Sequence, residues 1–278
     1  MSPAIISKKY CQIGKSRIAY IEAGNQDLPH LLFVHAWPAS SDMFIPVIHK
    51  LSKKFHILAP DLPGFGRSQG FKKPYTYKSF AIFLKHFLKK QNIKKTHLCG
   101  SSLGAAIAIE FTCRYLKKVN KLILNAPPLY LYPFHKNKNE IVNLISKKFP
   151  SLTNKFLNKI KKSQLTYIYY ILRDNYEGID RSFIKYLFQE AGKSKNKAVL
   201  NILKEIINKN LRPYASKIKT KTLIITGKDD YPELVKDTLY LKKHIRASKL
   251  FLIKNSNHRL SICKSDIFSQ SILGFLKE

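Results

Sequence analysis

The chain of 278 residues reads as an α/β protein: a mainly parallel central sheet flanked by helices, with an inserted helical cap. Three observations predict this. Short β-like runs alternate with helical segments over most of the length, which is the pattern of strands joined by helical crossovers. Several runs, such as LLFV and TLIIT, are continuously apolar, as strands buried on both faces are. Between Leu131 and Ser216 the alternation stops, and strand-like runs resume after it.

The elements follow in order. Arg17–Ile21, Leu31–His35, His56–Pro60 and Thr96–Gly100 are candidate strands, and AAIAIEFTCRYL after the fourth is helix-like. Leu122–Asn125 is the next strand. In the block that follows, Ile141, Leu144 and Ile145 precede a Pro150-Ser151 break. Leu152, Phe156 and Ile160 then recur at helical spacing, and Val199, Leu200, Ile202, Leu203, Ile206 and Ile207 mark an amphipathic helix before Pro213. Thr222–Thr226 and Leu250–Lys254 complete the strands. Residues 1–130 and 217–278 therefore read as a sheet-containing core, and 131–216 as a helical cap inserted into it.

Composition sets further bounds. Fifty Lys and Arg against 17 Asp and Glu give a formal charge of +33, which invites a nucleic-acid reading. A disordered basic tail is poor in apolar and aromatic residues; this chain is 45% hydrophobic and 12% aromatic. The excess is also even, at +15 over 1–130, +11 over 131–216 and +7 over 217–278. An even spread fits a global lysine bias better than a dedicated tract, and no nucleic-acid motif accompanies it, so no specific nucleic-acid partner is expected. No run reaches the ~18 apolar residues of a membrane span, and MSPAIISKKY lacks the layout of a signal peptide. Cys11, Cys99, Cys113 and Cys263 form no C-x-x-C pair, and no His cluster has metal spacing. A reduced, cytoplasmic protein with no metal and no cofactor is the expectation.

The chemistry lies elsewhere. Gly100-Ser101-Ser102-Leu103-Gly104 is a G-x-S-x-G sequence between the apolar run THLC and a helix-like segment. Strand, sharp turn and helix lift a serine hydroxyl above the end of a sheet, and the small residues Gly100, Gly104 and Ala105 leave room for that turn. A serine needs a base, and the base an orienting acid. Downstream, TLIITGKDD places Asp230 just beyond one strand and LFLIKNSNH places His258 just beyond the last. Loops after parallel strands gather at one sheet edge, where ligands bind in such folds. Asp229 competes with Asp230 for the acid's place.

On these residues the chain resembles the α/β-hydrolase superfamily, in its capped serine-hydrolase branch of esterases, C–C bond hydrolases and haloperoxidase-like enzymes. LLFVHAWPASSDMF is similar to the family's H-G-x-P segment, Asp61–Ser68 (DLPGFGRS) matches a hallmark loop, and Phe268 and Phe275 keep the apolar spacing of the tail. The resemblance implies an α/β-hydrolase fold, Ser102 as nucleophile, His258 as general base and then acid, and Asp230 as its partner. It implies an oxyanion hole from the backbone N–H groups of Leu103 and Trp37, with His35 positioning that loop. The Trp37 side chain reads equally as pocket wall or core. Ala36 stands where glycine is usual, Ser101 where histidine is common and Lys221 where proline is usual. Serine at 102 separates the chain from the dehalogenases and epoxide hydrolases of this fold, which use aspartate there, and Asn125 occupies an alternative acid position.

The implied activity is a serine hydrolase cleaving a carboxylic ester or thioester of a small acyl substrate through an acyl-enzyme. C–C bond, lactone and amide cleavage use the same triad. An ester on an acidic acyl carrier protein would engage a basic cap (Lys159, Lys161, Lys162, Arg173). Tyr167, Tyr169, Tyr170 and Arg173 can shape a pocket, although their helical setting reads first as core packing. A non-enzymatic basic binding protein on the same fold would show a lost triad member, and none is lost.

Overall fold

A computed structural model describes residues 6–72, 74–130, 150–163 and 179–278, with side chains for all of these except 150, 161 and 162. Among the described residues one sheet holds β1 (Ile6–Ile13), β2 (Ser16–Ala23), β3 (His30–Val34), β4 (His56–Pro60), β5 (Thr96–Ser101), β6 (Val119–Asn125), β7 (Thr222–Gly227) and β8 (Ser248–Ile253). Their spatial order is β1-β2-β4-β3-β5-β6-β7-β8. β2 pairs antiparallel with β1 and β4, and the strands from β4 to β8 run parallel.

The apolar runs are explained by which face each side chain meets. Successive residues point to opposite faces. Leu32, Val34, Leu58, Leu98, Leu122, Leu124 and Ile224 enter one core with α2 (Tyr77–Lys90), α3 (Leu103–Arg114) and Leu241 of α7 (Pro232–His244). Leu31, Phe33, Ile57, Ala59, Cys99, Ile123, Leu223 and Ile225 enter the other, under α1 (Ile45–Leu51) and α8 (Ser265–Lys277). Phe268 and Phe275 are buried there. Burial holds these helices more than their caps do. The Thr76–Ser79 capping box that opens α2 is worth ~1 kcal/mol, whereas each fully buried side chain of the size of Phe80 or Phe87 contributes about 1.5–3 kcal/mol.

β1 lies outside the strands expected from sequence, and the reason is its position. As an edge strand it buries none of its residues fully and carries Lys8 and Lys9, which blunt an open edge. The signal that marks it is the two-residue Gly14-Lys15 turn between the Ile13 and Ser16 partners.

Between β6 and β7 the described chain is helical: α4 (Pro150–Lys162), α5 (Arg181–Gly192) and α6 (Asn196–Asn208). α6 buries Ala198, Val199, Ile202 and Ile206, as its periodicity predicts. In α4 the stripe differs from expectation. Leu152 and Phe156 are exposed, and the inward face is Thr153, Leu157 and Ile160. Spacing of strictly four residues drifts about 40° per step around a helix of 3.6 residues per turn, so Leu152 and Phe156 rotate away from the face that Ile160 shares with Leu157. Ile141, Leu144 and Ile145 lie outside the described residues. Among the described residues no helix is long and apolar enough to cross a membrane, and Cys11, Cys99, Cys113 and Cys263 form no disulfide.

Candidate active site

Ser102 sits where β5 stops and α3 starts. Its backbone takes φ 51° and ψ −113°, a conformation that costs a non-glycine residue of order 1–3 kcal/mol. Backbone hydrogen bonds hold it there. Ser102 N–H donates to the Asn125 carbonyl at 2.8 Å, and the N–H groups of Ala105 and Ala106 donate to the Ser102 carbonyl at 2.9 and 3.1 Å. Ser101 Oγ accepts the Asn125 side-chain amide at 2.9 Å. Ser101 and Leu103 are buried, while Ser102 keeps partial exposure.

The absence of a side chain at two glycines brings the neighbouring loops in. A Cβ on Gly104 would lie 1.9 Å from the Val34 carbonyl oxygen and 2.9 Å from that of His35, so the first turn of α3 rests directly on the exit of β3. A Cβ on Gly227 would lie 2.1 Å from the Ser256 carbonyl oxygen and 2.6 Å from that of Asn257. The end of β7 thus abuts the loop leading to His258.

Here Asp230 and His258 meet. His258 Nδ1 lies 3.1 and 3.0 Å from Asp230 Oδ1 and Oδ2. Asp230 Oδ1 also accepts the Tyr231 N–H at 2.7 Å, and Oδ2 accepts the Thr226 hydroxyl at 3.2 Å. The Asp230 side chain is 1% exposed and that of His258 14%, so a buried carboxylate orients a ring that still reaches solvent. The Tyr231 ring stands edge-on to His258, with centroids 5.9 Å apart. Asp229 is used otherwise: its N–H donates to the Ser256 carbonyl and its Oδ2 accepts the Ser256 N–H, both at 3.0 Å. Ser102 Oγ makes no hydrogen bond to His258 among the described residues; the two share the carboxyl edge of the sheet, at the ends of parallel strands β5 and β8.

The β3-exit loop is fastened by His35. Its Nε2 accepts the Leu62 N–H at 2.8 Å, so Nδ1 carries the proton and donates to the Ala36 carbonyl at 2.8 Å. Complete burial pushes its pKa down, which keeps the ring neutral in this structural role. Ala36 is absent from the residues with positive φ, so its methyl group fits without left-handed strain. Behind the loop, Asp61 accepts the Ser41 N–H at 2.8 Å and the Arg67 N–H at 2.9 Å, with Arg67 Nε at 3.0 Å. Burial opposes its charge, but the Arg67 bonds and charge outweigh that and hold its pKa below the usual range.

Trp37 Nε1 donates to the Val199 carbonyl at 3.2 Å, tying the loop to α6. Under α4, α5 and α6 lies a cavity of about 190 Å³, lined by Trp37, Met43, Leu157, Leu187, Leu200 and Arg259 among others; neither Ser102 nor His258 lines it. No group of three His, Cys, Asp or Glu among the described residues is placed to hold a metal. Tyr167, Tyr169, Tyr170 and Arg173 lie outside the described residues, as do the side chains of Lys161 and Lys162; Lys159 is exposed on α4.

A family model described as the alpha/beta hydrolase fold matches residues 29–262. The chain is an α/β-hydrolase. It is 27% identical over 251 residues to AB hydrolase superfamily protein YisY of Bacillus subtilis, covering 84% of this chain and 87% of that protein. Against the pimeloyl-[acyl-carrier protein] methyl ester esterase of Wigglesworthia glossinidia brevipalpis the identity is 28% over 254 residues, or 90% and 94% of the two chains. The solved bromoperoxidase of Bacillus anthracis superposes with a TM-score of 0.81 at 22% identity, covering 98% of this chain and all of that one.

In this α/β-hydrolase the departures from family pattern each have a place. Ser101 is the partner of the Asn125 amide, and Lys221 gives its carbonyl to the Leu122 N–H at 2.9 Å. Sequence reasoning used Gly227 only as the marker of the strand end before Asp230, without its packing role, and gave no sign of the Asn125 backbone contact. The first had a visible signal, a glycine closing an apolar strand three residues before a carboxylate. The second has none, because a backbone carbonyl leaves no mark on residue type.

Proposed function

We propose that this α/β-hydrolase is a serine enzyme that cleaves a carboxylic ester or thioester through an acyl-enzyme. The observation that carries this reading is the contact between His258 and a buried Asp230, on the sheet edge where Ser102 stands on a strained turn. With Nδ1–H given to Asp230, His258 keeps Nε2 as an acceptor. Ser102 Oγ attacks the ester carbonyl and its proton passes to Nε2. The negative charge that develops on the carbonyl oxygen falls to the backbone N–H groups of Leu103 and Trp37, an arrangement whose loss typically costs 10²–10³ in rate per donor. The leaving alcohol or thiol takes the proton from His258. Water, deprotonated by the same nitrogen, then attacks the acyl-enzyme, releasing the acid and restoring Ser102. Residues 1–130 and 217–278 carry this chemistry, and 131–216 act as a cap whose α5 and α6 roof the neighbouring cavity.

Fluorophosphonate labelling tests the assignment. The reagent should phosphonylate Ser102 Oγ with loss of fluoride and add the mass of its phosphonyl group, and Ser102→Ala should lose both the label and turnover of short aryl esters, by a factor on the order of 10⁵–10⁶. Undiminished turnover in that variant overturns the reading. A lactone and an anilide run beside the esters separate the other reactions the same triad serves.

A second, narrower reading has the ester carried on an acidic acyl carrier protein. It is favoured by the relative named for such an ester, matched over 90% of this chain, together with a formal charge of +33.

A further inference from the structure

We propose that the groove between the β1–β2 turn and α2 binds a single-chain anionic amphiphile, a molecule with an apolar tail and an acidic head. The groove encloses about 800 Å³ and is lined by none of Ser102, Asp230 and His258, nor by any residue of the cavity under the cap helices. Its lining is divided in two. Ile13, Phe71, Ile82 and Phe83 are buried or half-buried and form the floor. Lys15, Lys72, Lys89 and Lys90 are exposed and form the rim. No Asp or Glu lines the groove, and none of the four lysines makes an ion pair among the described residues.

The walls are fastened to one another before any ligand arrives. The Phe71 ring packs against those of Tyr75, Phe80 and Phe83, with centroids 5.6, 5.5 and 6.1 Å apart, and its N–H donates to the Tyr75 hydroxyl at 3.0 Å. The Ser16 hydroxyl donates to the Gly70 carbonyl at 3.2 Å, and the Arg17 N–H to Gln69 Oε1 at 3.0 Å. Preorganisation of this kind lowers the cost of binding. Charge complementarity names the occupant. A tail laid on the floor removes apolar surface from water, at about 25 cal/mol per Å², and an acidic head meets the unpaired lysines. An ammonium is a compact charge with three rotatable donors, so it accepts a carboxylate or a phosphate head. A single chain enters a concave groove that a bilayer surface bridges. At roughly 30 Å³ per water-sized group, a twelve-carbon acid takes about half of the volume.

Calorimetric titration with dodecanoate below its micellar concentration tests this, with dodecyltrimethylammonium as the same chain bearing the opposite charge. Dodecanoate should bind saturably, and the cationic chain at least about tenfold more weakly. Lys15→Gln combined with Lys90→Gln should weaken dodecanoate binding about tenfold. Ile82→Glu, which sets a carboxylate on the floor at a half-buried position, should do the same. A dodecanoate analogue with a diazirine at its tail locates the site without a variant: its photoadducts should fall within residues 12–16, 71–72 and 79–92. Dodecyl phosphate is run in parallel; binding of either head supports the proposal, and the tighter of the two names the head. Equal binding of the cationic chain, affinity unchanged in both variants, photoadducts confined to other residues, or binding to phosphatidylglycerol vesicles but to neither monomer overturns it.

Discussion

Gly227 places a hydrogen where any larger substituent would strike the Ser256 carbonyl, and the loop it admits leads to His258. Gly227→Ala is expected to cost about 1–3 kcal/mol of stability, the usual range for overpacking. Activity should suffer more, with kcat falling at least tenfold, because a shift of about 1 Å in a reacting group can cost 10²-fold. Urea unfolding and ester kinetics on the same preparation separate the two effects. The residue scale is also where reading from sequence met its limit. Asp229 and Asp230 are adjacent and chemically alike, and order along the chain could not choose between them as the partner of His258. What distinguishes them is which backbone each side chain can reach: Asp229 closes onto the Ser256 N–H, and Asp230 turns inward to His258.

At the scale of elements, the central strands were legible because burial on both faces demands apolar side chains at every position. β1 touches the cores only through the partly buried Ile6, Cys11 and Ile13, so its residues are mixed and its pattern is weak. The direction in which α4 turns was equally hidden, since Leu152, Phe156 and Leu157 are all apolar and only packing decides which of them face inward. β5 holds a feature with its own consequence. His97 is partly buried, with Nδ1 lacking a hydrogen-bond partner. Burial, reinforced by Lys121 and Lys95, lowers its pKa to about 4, against ~6.5 for an ordinary histidine. As pH falls, the unfolded chain takes up this proton first. The stability that depends on neutral His97 is therefore intact above about pH 6.5 and is lost progressively down to about pH 4. Urea midpoints measured between those limits should fall less steeply in His97→Gln than in the native protein.

For the whole molecule the charge of +33 acts through its summed field. Even distribution along the sequence argues against a tract for nucleic acid, yet a strongly positive net charge attracts acidic macromolecules and raises the rate of encounter. If the substrate is carried on an acidic protein, kcat/KM for the carrier-bound ester should drop as salt is raised from about 50 to 500 mM, while that for a neutral aryl ester holds steady. Parallel salt profiles for the two would remove the steering role.

The bond from Trp37 to the Val199 carbonyl joins residues 162 positions apart, and Trp37 is the sole tryptophan in the chain. The protein thus contains a single indole fluorophore, seated where the β3-exit loop, α6 and the cavity wall converge. Its emission wavelength is an optical gauge of that junction alone, with no second tryptophan to blur the signal, and it can follow the docking of α6 or the arrival of an acyl chain without an added label.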